Sequence, residues 1–209
     1  MSHVDELRTR IVGVLRSDPC QRIRFKNVVS VTGFNYGYVA DMVQREIITI
    51  EEGDTGIWAG EYNPFPNPTK KFVLPCDTWQ QIKAGDMLTI SLLVHEATHA
   101  LYDVLAKGKW VSWQDSEVTA YLAQAIYLLN CSVHPDVVIA SFGRRMYALA
   151  DKIMDYRGPC IYECTRDDIN PIRANTESLY MRLDPGRSPC SRYRSIGIPW
   201  PDDRPSIYR

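Results

Sequence analysis

Residues 87–107 read MLTISLLVHEATHALYDVLAK. Leu88, Ile90, Leu93, Val94, Ala97, Leu101, Val104 and Leu105 recur at helical spacing and make a broad apolar face. Asp86 stands where an N-cap belongs and Gly108 where a C′ residue closes a helix. The spacing predicts one helix from Met87 to Lys107. His95 and His99 interrupt its apolar run. Four positions apart, they stack on one helix face. A polar ring in an apolar setting costs free energy unless it is partnered. One metal ion, about 2.0–2.1 Å from each ring nitrogen, would partner both. Glu96 is offset by one position, beside such an ion, where it can hydrogen-bond a water.

Downstream, Ser112 and Asp115 fit a capping box, and an apolar run from Val118 to Leu129 predicts a second helix. A connection this short between long helices makes them antiparallel neighbours. At 1.5 Å per residue, His99 lies roughly 12 Å before the first helix ends and Glu117 roughly 7 Å after the second begins. Glu117 is therefore a candidate third ligand, and Asp115 is its rival, with capping as its other use. A third helix is expected over 136–156, with Pro135 at its first turn.

On the N-terminal side, Val4, Leu7, Ile11, Val14 and Leu15 mark a helix over 4–16, with Ser2 and Asp5 as a capping box. A further helix over 38–47 passes into a strand near Ile47. Ile47–Ile50 and Ile57–Glu61 are short β-rich runs separated by a hairpin signal at Glu52–Gly56. Residues 63–68 carry three prolines and exclude regular structure. Lys71–Leu74 reads as an edge strand. After Arg157 the chain is rich in proline and arginine. Thr165–Leu183 predicts short helices interrupted by Pro171, and 184–209 an irregular tail.

The 209 residues suit one domain, 1–183, followed by the tail. Within it, 1–75 carry helices and short strands and 86–156 a helical core. Six cysteines are scattered without a CxxC pair, which argues against structural zinc and for mostly free thiols, with disulfides open outside a reducing compartment. Formal net charge is -1, so no global positive field favours nucleic acid or acidic membrane. Neither a secretory signal nor a membrane-spanning run is expected. The expectation is a soluble protein, cytoplasmic or exported by a non-classical route, with oligomeric state left open.

His95-Glu96-Ala97-Thr98-His99 is HExxH, and it is followed by Ser116-Glu117-Val118-Thr119-Ala120-Tyr121. This pairing, which covers Met87 to Leu129, resembles the gluzincin branch of zinc metallopeptidases. The metzincin pattern, with a third histidine six positions on, is absent. The resemblance implies an α+β, zincin-like fold, Zn2+ as cofactor, and a peptide or protein as substrate. It implies His95, His99 and Glu117 as ligands and Glu96 as general base. It also implies an edge strand that pairs with extended substrate, for which 57–61 and 71–74 are the candidates. Asp103, one turn beyond His99, is a candidate partner for that ring. Tyr121 and His134 are candidates to help an oxyanion.

Two other readings belong to different classes. Residues 23–62 can be read as helix, turn, helix and wing, a DNA-binding arrangement. The second helix then carries only Arg45 as a base, beside Asp41 and Glu46. A zincin-fold binding module without activity is the other, and the intact Glu96 argues against it. Small size and the Pro/Arg-rich tail also fit a toxin or effector delivered by a secretion machine.

Overall fold

The structure is a computed structural model that describes residues 3–27, 29–53, 61–63, 70–105, 110–183 and 192–194. Helix α1 (His3–Leu15) buries Leu7, Ile11, Val14 and Leu15. The short α2 (Asp18–Gln21) leads into strands β1 (Arg24–Lys26) and β2 (Ser30–Thr32). These two strands pair antiparallel, with Phe25 opposite Val31. The helix before Gly33 that a DNA-binding reading needs is therefore replaced by paired strands. Both inward residues, Phe25 and Val31, are β-formers that reach the core.

Helix α3 (Gly33–Gln44) starts five residues before the predicted helix. Thr32 caps it through the Asn35 N–H, and the Asn35 side chain returns the bond, a capping box written with asparagine. Gly33 is obligatory here, because a Cβ would lie 2.2 Å from the Gln21 carbonyl oxygen. Strands β3 (Ile48–Glu52), β4 (Glu61–Asn63) and β5 (Lys70–Leu74) form one sheet in the order β3-β5-β4. Strand β3 runs parallel to β5, and β4 is antiparallel to it. Strand β5 is thus central rather than an edge, and Phe72, Val73 and Leu74 are all buried, so both of its faces are covered. The predicted hairpin across 52–56 is not how β3 pairs, and 54–60 lie outside the described residues.

Helix α4 (Cys76–Ala84), absent from the sequence reading, buries Trp79 and Ile82 and ends at Gly85 in the left-handed conformation. Next come α5 (Met87–Leu105), β6 (Trp110–Ser112) and α6 (Trp113–Asn130). Helix α5 starts where predicted, and Asp86 caps it by accepting the Thr89 N–H at 2.9 Å. Residues 106–109, with Gly108, lie outside the described ones. The contacts Ser91–Gln124, His99–Ser116 and Tyr102–Asp115 run in opposite senses along α5 and α6, so the two helices are antiparallel. Ser112 makes no side-chain cap bond, and Asp115 instead pairs with Arg173.

The predicted third helix is two: α7 (Pro135–Phe142) and α8 (Arg144–Asp155). They break at Gly143, whose φ of 86° only glycine adopts at little cost. Strand β7 (Tyr162–Glu163) adds to β1 in parallel. Helix α9 (Arg166–Leu183) is continuous through Pro171. Proline there removes one helical bond, but Ile169 and Ile172 flank it and bury fully in the core. Within the tail, β8 (Arg192–Arg194) pairs antiparallel with β6, so that part is not irregular.

The result is an α+β fold. One hydrophobic core runs from Leu7 to Ile172. Helix α5 packs on α1, α3, α4 and β4, while α6 packs on α7, α8 and α9. Ala120, Ala123 and Ala125 let α6 lie close to its neighbours, buried on most of its faces. Cys20, Cys76, Cys131, Cys160 and Cys164 are free thiols. Among the described residues no helix is long and apolar enough to cross a membrane.

Candidate metal centre

Three side chains converge at the middle of the α5–α6 pair. His95 and His99 come from successive turns of α5, and Glu117 comes from the second turn of α6. The two Nε2 atoms are 3.1 Å apart. Glu117 straddles them, with Oε2 3.5 Å from His95 Nε2 and Oε1 3.4 Å from His99 Nε2. Ligand atoms about 2.0–2.1 Å from a tetrahedral ion stand roughly 3.3–3.4 Å from each other. The observed edges match the face of such a tetrahedron. The carboxylate contacts, by contrast, are longer than the 2.7–2.9 Å of a charge-assisted hydrogen bond. Borderline nitrogen and hard oxygen donors in this ratio suit a divalent cation. Among the described residues this is the one group of three that could hold a metal ion.

Local forces aim the rings. His99 Nδ1 is hydrogen-bonded to Ser116 Oγ at 2.8 Å, so with the proton on Nδ1 the Nε2 lone pair faces the cluster. The His95 ring meets the Tyr121 ring edge-on, with centroids 4.5 Å apart, and Tyr121 continues to Phe142 at 6.0 Å. Burial alone would depress the His95 pKa. The adjacent Glu117 carboxylate, the Glu96 charge and the Gln124 amide outweigh burial and hold it above the ordinary imidazole value.

Glu96 is buried beside the cluster. Its Oε2 accepts the backbone N–H of Tyr62 at 2.7 Å. The same residue donates its phenol to Asp103 Oδ2 at 3.1 Å, and Lys70 Nζ stands 3.9 Å from that oxygen. Tyr62 thus ties edge strand β4 to α5 at two points. Asp103 belongs to this anchor, and the ring it was expected to orient, His99, is held by Ser116 instead. Asp115, two positions before Glu117, points to Arg173 on α9 and not to the histidines. Tyr121 lines the cluster. His134 does not join it: its ring is 73% exposed, and its Nδ1 accepts the Asp136 N–H as the cap of α7.

Of the two proposed substrate-pairing strands, 71–74 is enclosed as the centre of its sheet. Residues 57–60 lie outside the described ones; Glu61, the last of that run, opens β4. The sequence reading gave no role to Ser116, Tyr62 or Gln124. Ser116 had a local signal, standing next to Glu117 and facing the same helix. Tyr62 had none, because its partner is 34 positions away.

No family model, no curated protein and no solved structure matches this chain.

Proposed function

We propose that this protein is a zinc-dependent peptidase of the gluzincin kind, with a peptide or protein as substrate. The observation that carries the reading is the triangle of His95 Nε2, His99 Nε2 and the Glu117 carboxylate, with edges of 3.1 to 3.5 Å, beside a buried Glu96. A structural site closes with four protein ligands, whereas three leave a position for water or substrate. Zinc bound there supplies an electrophile that acidifies water and polarises a carbonyl.

The chain's own groups account for the proton traffic. Glu96 Oε2 is anchored by the Tyr62 amide, which fixes the plane of the carboxylate. The Glu96 carboxylate then accepts a proton from the attacking water as the new C–O bond forms. Glu96 returns that proton to the amine nitrogen as the C–N bond breaks. The Tyr62–Asp103 bond keeps the β4 anchor in register with α5 while this happens. Tyr121, at van der Waals range of His95, forms one aromatic wall and shields the cluster from bulk water.

The test is metal analysis of purified protein under non-chelating conditions, followed by peptide cleavage. Wild type is expected to carry about one zinc per chain, and His95→Ala little or none. Glu96→Gln is expected to keep the zinc and lose turnover by about 10²–10⁴-fold. Wild type without zinc removes the basis of the proposal. Cleavage undiminished in Glu96→Gln removes Glu96 from its role.

A further inference from the structure

Gln124 is one of several polar side chains buried between α5 and α6. It lies two turns after Glu117 on α6 and is almost fully buried. Placing an amide there is unfavourable if its bonds go unmade. One bond is made: Gln124 Nε2 donates to Ser91 Oγ at 2.9 Å. Ser91 is one turn before His95 on α5 and is also fully buried.

The direction of every proton in this chain follows from its far end. Ser91 Oγ donates to the Leu88 carbonyl at 2.6 Å, which uses the single hydroxyl proton. Ser91 Oγ can therefore only accept from Gln124, so the amide NH2 must face Ser91. The amide oxygen is then turned the other way, toward the His95 ring, with which it interacts. Gln124 Oε1 and His95 Nδ1 are both buried, and neither has a partner at full hydrogen-bond distance. An acceptor and a ring nitrogen, each lacking a bond, complement each other.

We propose that Gln124, held by Ser91, is the positioning residue for His95: its amide oxygen accepts the Nδ1 proton and so keeps Nε2 as the ligand atom. This role rests on the metal centre proposed above. It gives His95 the counterpart of what Ser116 does for His99. Both outer partners come from α6, so one helix supplies a ligand and orients the two others. The Leu88 carbonyl, a backbone group that cannot change its polarity, sets the tautomer through two intervening side chains.

The experiment is zinc titration of the metal-free full-length chain against a chromogenic chelator, with thermal unfolding to check that each variant is folded. Gln124→Leu is expected to bind zinc about 10–100-fold more weakly than wild type. Gln124→Glu, which keeps an acceptor oxygen in place, is expected to stay within about threefold of wild type. Ser91→Ala, which frees the amide to turn, is expected to lose about 3–10-fold and decides the matter if Gln124→Leu does not fold. Affinity in Gln124→Leu within twofold of wild type, or equal losses in the Leu and Glu variants, overturns the role and leaves the centre standing. Wild type that takes up no zinc overturns the centre and the role together.

Discussion

Asp115 and Glu117 are two positions apart on α6, which turns their side chains about 200° from each other. One faces the histidines and the other faces α9. Their substitutions should therefore separate. Glu117→Ala removes one of three donors and is expected to abolish stoichiometric zinc binding. Asp115→Asn is expected to retain zinc and to lower stability only modestly, by about 1 kcal/mol, through the weakened Arg173 contact. Zinc stoichiometry beside urea unfolding measures both, and loss of zinc in Asp115→Asn alone would reverse the assignment. At this scale the sequence was most informative where geometry is local. His95 and His99 share a face because four residues make a turn of helix, whatever the tertiary fold. Which acid faces them depends on the rotation of α6 about its axis, and that is set by the burial of Ala120, Ala123 and Leu122 on several sides at once.

Helix α9 begins with Thr165 and Asp168 exchanging bonds: the Asp168 N–H reaches Thr165 Oγ1, and Asp168 Oδ2 accepts the Thr165 N–H at 2.8 Å. Tyr162 Oη and Lys152 Nζ complete the shell of this carboxylate. Burial opposes its charge, but Lys152, the Thr165 amide and hydroxyl, and the Tyr162 hydroxyl outweigh burial and lower its pKa to about 2. The folded value lies below the unfolded one, so the stabilisation is complete above about pH 5. It is lost as pH falls through the unfolded value toward about 2. Asp168→Asn is expected to cost about 1–2 kcal/mol at pH 7, reduced because Lys152 is more than half exposed. The gap from wild type should close by about pH 2, as read from denaturant curves at several pH values. A gap independent of pH would assign the effect to packing. The sequence reading began this segment at Thr165 but broke it at Pro171, whose local penalty was weighed without the tertiary anchoring of Ile169 and Ile172. Helix α4 was missed for a related reason: with nine residues it is too short for periodicity to speak, and only Gly85 marks its end.

Across the whole molecule, the triangle of His95, His99 and Glu117 lies between α5 and α6, so a bound ion would cross-link them. A ligand that binds only the folded state stabilises it by about 2.7 kcal/mol at one hundred times its dissociation constant. Zinc is therefore expected to raise the midpoint of thermal unfolding by several degrees for a chain of this size, and a chelator to reverse the rise. His95→Ala should show neither change, and an equal shift in that variant would place the ion elsewhere. The antiparallel pair, the meeting of His95, His99 and Glu117 between its helices, and the α+β class were legible in the sequence. The sheet was not. Its order, β3-β5-β4, joins strands in parallel across 17 intervening residues (53–69), and nothing local distinguishes that from a hairpin.

Tyr62 fastens the sheet to α5 with its amide and its phenol, onto residues seven apart on one flank of the helix. A beam riveted twice, roughly 10 Å between rivets, can neither slide nor swivel without shearing both. The flank of α5 that carries Glu96 is thus stiff. If the peptidase reading holds, a guest laid along that flank would meet a carboxylate already aimed, instead of one that must search for its bearing.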